Sequence, residues 1–299
     1  CDLPLRALAR RRQRERELST RELLAVLRDF KAIGTAGVGF TGGEPMLRDD
    51  LPELLAYATR LGLHAHLNTD GFSVAERAGE LLATGVRSVN ISLDGPDAAT
   101  HDAARGRPGA FAAATAGLTA LRRARARQGG ARLTAVTVLT AHNLGSIDAV
   151  VATALEAGAD RVGVLPVHDF GQGERPADAA QVAGALAALR ARHAQGVIDN
   201  SLAYLDLVPR ALRGEPSPLT CYAPWTSVVV DAYGDVLPCF PFMERKRPLG
   251  RVPLARLWRS AAYARERERL AGCRACLWNC HAEMNLALPQ PARVAGEAG

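Results

Sequence analysis

The sequence predicts an α/β fold. A parallel sheet with outer helices, forming an open or closed barrel, is followed by a small cysteine-rich α+β domain with a β-hairpin. Three observations predict it. Helical and extended patterns alternate as far as about residue 200, at spacings that suit βαβ units. Glycines and polar residues cluster where the extended runs end, as at Gly42-Gly43-Glu44, Asn68 to Gly71 and Asp94-Gly95. Cys221, Cys239, Cys273, Cys276 and Cys280 crowd the last part of the chain, while the long middle has no cysteine.

The elements follow in order. Ser19-Thr20-Arg21-Glu22 is a capping box, after which Leu23, Val26, Leu27 and Phe30 make a helical stripe. Val38 to Phe40 reads as a short buried strand. Asp49 or Asp50 caps a helix with Leu51, Leu54, Leu55 and Ala58 on one face. Leu63 to Leu67 is a strand. Ser73-Val74-Ala75-Glu76 reads as a second capping box, with its helix ending near Gly85. Arg87 to Leu93 is a strand, Phe111 to about Arg127 a helix, and Leu133 to Leu139 a strand. Leu144 to Ala157 is a helix stopped by Gly158, Arg161 to Val167 a strand, and Ala177 to His193 a helix. Right-handed crossovers between such strands build a parallel sheet.

Beyond residue 205 the pattern changes, and the domain boundary is placed there. Thr226 to Asp231 and Val236 to Phe240 read as a hairpin around Ala232-Tyr233-Gly234-Asp235. Leu254 to Leu270 reads as one charged helix, and residues 289–299 as a loose tail.

Composition excludes several classes. The chain has 299 residues, 48% hydrophobic and 23% charged, enough to bury a core and too apolar for disorder. No run of about 18 apolar residues appears, so no membrane helix is expected. No basic-then-apolar leader is visible, and a cytoplasmic protein is the expectation. The formal charge of +6 owes much to residues 10–16. These read as a solvated surface segment; no aromatics interleave with the arginines, so nucleic acid is not expected as a partner.

The chemistry concentrates in two places. Gly42 and Gly43 at a strand end let a ligand approach the backbone, and the Glu44 carboxylate can accept from a cationic amine. The same tripeptide also occurs in ordinary turns. Asn90, Ser92 and Asp94 alternate onto one face, opposite Val89, Ile91 and Leu93, and suggest a pocket in a barrel interior. His64, His66 and Asn68 repeat the pattern one strand earlier; with no third ligand in view, the histidines read as structural rather than zinc-binding. The five late cysteines, spaced Cys221-x12-Gly234-x4-Cys239 and Cys273-x2-Cys276-x3-Cys280, suit an iron–sulfur cluster or zinc, between which spacing does not choose.

Taken in order, these segments resemble the radical S-adenosylmethionine (radical SAM) enzymes that carry a C-terminal SPASM or twitch auxiliary-cluster domain. The resemblance rests on Cys1, Phe40 to Pro45 with its GGE motif, Asn68 to Gly71, Ile91 to Gly95 with His101-Asp102 and Arg105-Gly106, and the late cysteines. It implies a partial (β/α)6 TIM-like barrel over 1–205, an auxiliary-cluster domain over 206–288, and SAM as cofactor. The family's barrel has six strands against the five counted here, which implies a first strand upstream of Cys1. Cys1 would then be the third cysteine of the family's CxxxCxxC motif, with two ligands of the SAM-binding [4Fe–4S] cluster upstream of the given chain. Asp2 departs from the aromatic residue common after that cysteine.

Within the resemblance, Gly42, Gly43 and Glu44 would hold the SAM amine. Ser92 and Arg105 would contact its carboxylate or ribose, with Asn68 and Asn143 as further contacts. The five cysteines of the C-terminal domain, fewer than the seven of a full SPASM pattern, would hold one auxiliary [4Fe–4S] cluster. The implied partners are a peptide or small-molecule substrate and an electron donor such as flavodoxin or ferredoxin. Two other readings compete: a non-catalytic iron–sulfur or zinc binding protein on a decayed barrel, and a metal-dependent lyase or hydrolase. The second lacks a His/Asp/Glu ligand cluster on successive strand ends.

Overall fold

The computed structural model describes residues 16–168, 178–240 and 250–288. Cys1, most of the basic segment 10–16 and the expected tail 289–299 lie outside the described residues.

The chain enters through α1 (Thr20–Ala32). Its start is the expected capping box: the Ser19 backbone N–H donates to Glu22 Oε2 at 2.8 Å, and the Glu22 N–H donates back to Ser19 Oγ. Five parallel strands then form one sheet in sequential order: β1 (Gly37–Phe40), β2 (His64–Thr69), β3 (Ser88–Ser92), β4 (Arg132–Leu139) and β5 (Arg161–Pro166). Between them run α2 (Leu51–Arg60), α3 (Val74–Ala83), α4 (Ala98–Arg105), α5 (Ala110–Gln128) and α6 (Ile147–Ala157), and α7 (Ala179–Ala194) follows β5. Strand alternation sends Ala65, Leu67, Val89, Ile91, Leu133 and Val162 into the helix layer, where each is at most 1% exposed. The other face of the sheet carries the polar alternates.

After α7 the chain returns to the free side of β5. Ile198 bridges Val162 in parallel, and the Asn200 side chain extends the ladder: its Oδ1 accepts from Val164 N at 2.6 Å and its Nδ2 donates to Val164 O at 3.0 Å. A side-chain amide thus stands where a further strand's backbone would pair. Short helices α8 (Leu202–Leu205) and α9 (Val208–Leu212) lead to α10 (Ala223–Thr226). A three-stranded antiparallel sheet follows, made of β6 (Val229–Val230), β7 (Asp235–Leu237) and β8 (Gly250–Arg251), and then α11 (Leu254–Trp258), α12 (Ala261–Leu270) and α13 (Asn279–Ala287).

The barrel segment and the cysteine-rich segment share one hydrophobic core. Leu18 N donates to Ala232 O at 2.7 Å, Ala255 N to Asp29 Oδ2 at 3.1 Å, and the buried Tyr204 hydroxyl to Leu277 O at 3.0 Å. No described helix is long and apolar enough to cross a membrane.

The structure corrects four local expectations. Ser73 does not cap α3: it sits at φ 62°, in the left-handed region, and its side chain accepts no capping bond. Asp50 precedes α2, but its carboxylate is turned to Arg48 and Thr20 instead of the helix N–H groups. The strand expected over 226–231 keeps only Val229–Val230, because Pro224 opens a helical turn just before it. The helix expected over 254–270 breaks at Ser260, whose hydroxyl accepts from Tyr263 N and starts α12 anew.

Two glycines give a matched test of packing. A Cβ on Gly95 would stand 2.5 Å from His101 N and 2.7 Å from Thr100 Cβ, so α4 can approach the end of β3 only over a glycine. Gly79, exposed within α3, has nothing within 4 Å of its Cβ position. Gly95→Ala is expected to destabilise by about 1–3 kcal/mol and Gly79→Ala to stabilise by about 0.5–1 kcal/mol, both read by denaturant unfolding. Equal effects would refute the close approach.

Candidate functional site

The strand ends of β1, β2, β3 and β4 lie side by side, so the loops that follow them meet. Glu44, at the end of the loop after β1, is held there by three donors. Its Oε1 accepts from Met46 N at 2.9 Å and from the Thr69 hydroxyl at 2.7 Å, and its Oε2 accepts from Asp70 N at 2.7 Å. Burial pushes the carboxyl up to about 7, against the three donors that pull it down. A group so placed gains by meeting a cation. The two glycines before it leave room for one. Gly42 has φ +130°, a conformation that favours glycine, while Gly43 has no such need; neither would put a Cβ within 4 Å of any atom. Gly43 therefore clears space rather than satisfying the backbone, as a cradle for a bound molecule requires.

Asn68 and Asn90 face each other across β2 and β3, with Asn90 Nδ2 donating to Asn68 Oδ1 at 2.7 Å. Ser92 stands half-buried on the same face. Asp94 leaves this polar stripe. It is 4% exposed and ties four neighbours: its N–H donates to His101 Nδ1 at 2.9 Å, its Oδ1 accepts from Val138 N at 2.8 Å, its Oδ2 accepts from Arg105 at 3.1 Å, and its carbonyl accepts from Asn143 Nδ2 at 2.9 Å. Arg105 is thereby fixed beside the strand ends with 14% of its side chain exposed. Asn143 is 2% exposed, and its amide is committed to Asp94 O, Val138 O and Thr140 N. It braces two loops and does not face the open space.

Sequence reasoning did not single out Thr69 or Asp70 as the partners of Glu44, nor Asp94 as a hub. The signal was present: Thr69 ends β2, and Asp70 and Asp94 follow strands, in the same polar-and-glycine pattern that marked Glu44. His101 is wholly buried and held neutral, burial lowering its pKa, and its Nδ1 acceptor role leaves the proton on Nε2. Asp102, adjacent to it, receives Gly109 N and Phe111 N and so starts α5. Arg107 bonds Asp70 at 3.2 Å and lies 3.4 Å over the Phe72 ring, pinning the loop after β2.

The C-terminal thiols form the second centre. Cys221, Cys239, Cys273, Cys276 and Cys280 are all free of disulfides. Cys221 stands within electrostatic reach of Cys273, and Cys280 within reach of Cys276. Among the described residues no three His, Cys, Asp or Glu side chains are close enough together to hold a metal ion. The donor chemistry nonetheless fits a soft metal or an iron–sulfur cluster, for which metal binding and local folding are coupled. Trp278, between Cys276 and Cys280, stacks on His168 at 5.5 Å and leans on Phe240, next to Cys239, at 5.0 Å. This trio fastens both cysteine segments to the end of β5. Cys1 lies outside the described residues.

Comparison with known proteins agrees with both centres. The family model described as the radical SAM superfamily matches residues 1–154, and that of an iron–sulfur cluster-binding domain matches 221–281. A PqqA peptide cyclase of Streptomyces rochei is 33% identical over 247 residues, covering 80% of this chain and 64% of that protein. An AdoMet-dependent heme synthase of Nitratidesulfovibrio vulgaris is 39% identical over 155 residues, covering 52% of this chain and 40% of that one. The chain thus spans less than two thirds of the length of these relatives. Among solved structures, Streptococcus suis SuiB bound to S-adenosylmethionine aligns with a TM-score of 0.64 at 18% identity, over 84% of this chain and 60% of that one, which shows the fold. With the GGE loop on a sequential parallel sheet and five free thiols in the segment matched by the iron–sulfur domain model, the chain belongs to the radical SAM superfamily.

Proposed function

We propose that this protein is a peptide-modifying radical SAM enzyme whose auxiliary iron–sulfur cluster sits in the cysteine-rich domain. The single observation that carries the reading is Glu44: a carboxylate held by three donors, raised by burial, and facing space cleared by two glycines. SAM and its [4Fe–4S] cluster, when bound, supply a one-electron cleavage of the sulfonium that yields methionine and a 5′-deoxyadenosyl radical able to take a substrate hydrogen.

The chain's own residues bind and orient. Glu44 accepts from the amine of SAM, and the backbone of Gly42 and Gly43 lies against the methionyl moiety. Arg105, aimed by Asp94, and Ser92 meet the carboxylate or ribose. Asn143 and His101 hold Asp94 and act through it. In the second domain, four of the five thiols of Cys221, Cys239, Cys273, Cys276 and Cys280 hold the auxiliary cluster. A peptide substrate is supported by the likeness to the PqqA peptide cyclases, which span both domains of this chain. A one-electron donor of the flavodoxin or ferredoxin class is required to start each turnover. A non-catalytic metal protein would have no use for the cleared glycine cradle.

Two outcomes test the reading. Glu44→Gln is expected to weaken SAM about 10- to 100-fold by calorimetry, the worth of about 1.5–3 kcal/mol for a charge-assisted bond. Because burial raises this carboxyl to about 7, the parent should bind SAM more tightly as pH rises from 5.5 through 7, as Glu44 loses its proton, and level off only about one pH unit above that. Glu44→Gln should lose that slope; a variant with the parent's affinity and slope would remove Glu44 from the site. Anaerobic reconstitution of residues 221–280 within the whole chain should add about four iron and four sulfide, lost in Cys276→Ala together with Cys221→Ala. Tightly bound zinc without sulfide would refute the cluster.

A further inference from the structure

The face of the sheet turned away from the helices carries a graded polar surface. Parallel register partners point to the same side, so the strands place their residues in rows. The lower row is His66, Ser88 and Arg132, and the row above it is Asn68, Asn90 and Thr134. In the lower row His66 Nδ1 bonds Ser88 Oγ at 2.7 Å. In the upper row Asn90 bonds Asn68 at 2.7 Å, and the Thr134 hydroxyl, on a residue only 2% exposed, has no partner. A buried hydroxyl without a partner costs stability unless something answers it.

Room exists beside the lower row. Gly39 is the register partner of His66, and a Cβ there would meet nothing within 4 Å. On the far side of Thr134 a Cβ on Gly163 would be in ordinary contact, 3.8 Å from Thr134 Cγ2 and 4.0 Å from Asp199 Cβ.

The charge of this surface is one-sided. His64, Arg87 and Arg132 all act on His66, whose pKa falls mainly through its burial and then through these positive neighbours. Arg161 is the register partner of Thr134. The acid facing the group is Asp199, 3.2 Å from Arg132. Arg161 makes no ion pair among the described residues. Amide and hydroxyl donors backed by excess cations recognise an anion that accepts several hydrogen bonds at once.

We propose that the row Asn68, Asn90 and Thr134, with His66 and Arg132 beneath it, receives a carboxylate of the substrate. The proposal deepens the reading of a peptide-modifying enzyme and rests on it. The carboxylate belongs either to an acidic side chain or to a peptide C-terminus. Set below the loops that hold Glu44 and Asp94, it would fix which segment of the peptide is presented to them.

The test is fluorescence polarisation on the whole chain with labelled tripeptides. The probes are acetyl-Ala-Glu-Ala amide, its Gln counterpart, the Gln peptide with a free C-terminus, and a phosphoserine analogue. Either carboxylate peptide is expected to bind about 10-fold more tightly than the neutral one, and which of the two does so identifies the source. The preference should vanish in Thr134→Val and Arg132→Gln, persist in Thr134→Ser, and persist in Arg190→Gln, a surface arginine paired with Asp206. Thermal melting of each variant identifies any that fails to fold, and Thr134→Ser then carries the comparison. Equal binding of neutral and charged peptides, a stronger preference for phosphoserine, or loss of preference in Arg190→Gln would overturn the proposal. The assay needs neither SAM nor iron, so it stays readable if SAM cleavage fails.

Discussion

The three donors on the Glu44 carboxylate are the constraint on which the rest of the site depends. They come from two loops, one after β1 and one after β2, and lock those loops together. Each donor is fixed by its own element: Met46 by the turn that begins at Pro45, Thr69 and Asp70 by the end of β2. The result is a half-buried acid that would rather be neutral than charged in the absence of a cation. Binding an amine there replaces lost hydration with a charge-assisted bond, so affinity and orientation come from the same atoms.

A second brace stands next to the first. Asp94 links β3, β4 and α4 through His101, Val138, Arg105 and Asn143, and Gly95 allows α4 to come close enough for this. Together the two braces tie the loop ends of β1 to β2 and of β3 to β4, forming a rim. The cysteine-rich segment packs against the barrel segment rather than hanging from it by a tether. The shared core, the Tyr204 bond to Leu277 and the stack of His168, Trp278 and Phe240 fix the thiols relative to β5.

Much of this was legible in the sequence because it is periodic or local. The alternation of Val89, Ile91 and Leu93 with Asn90 and Ser92 marked a strand with one apolar and one polar face, and the Ser19–Glu22 capping box marked a helix start; both stand in the structure. Elsewhere tertiary context outweighed local pattern. The Ser73–Glu76 spacing matched a capping box, yet the tight turn at Gly71 and Ser73 turned the serine into the left-handed region. The helix Ala98–Arg105 was missed because its apolar face is a single buried His101, too little for a periodic signal. The charged run 254–270 carried no breaker visible as glycine or proline; Ser260 ended it by offering its own side-chain acceptor. In the site, the glycines, Glu44 and Ser92 stood out by their places at strand ends, whereas Arg105 was named only through the family resemblance. The commitment of the Asn143 amide to loop bracing depends on contacts between residues far apart in sequence, such as its bond to Asp94 O, which no local reading contains.

The account turns on whether the rim around Glu44 delivers SAM to one-electron cleavage. The most direct measurement is product analysis of the anaerobically reconstituted, chemically reduced full-length protein incubated with SAM. The account predicts 5′-deoxyadenosine and methionine in equal amounts, with formation collapsing in Glu44→Gln while iron content stays at the parent level. Protein that binds SAM and carries its iron yet forms no 5′-deoxyadenosine would contradict it.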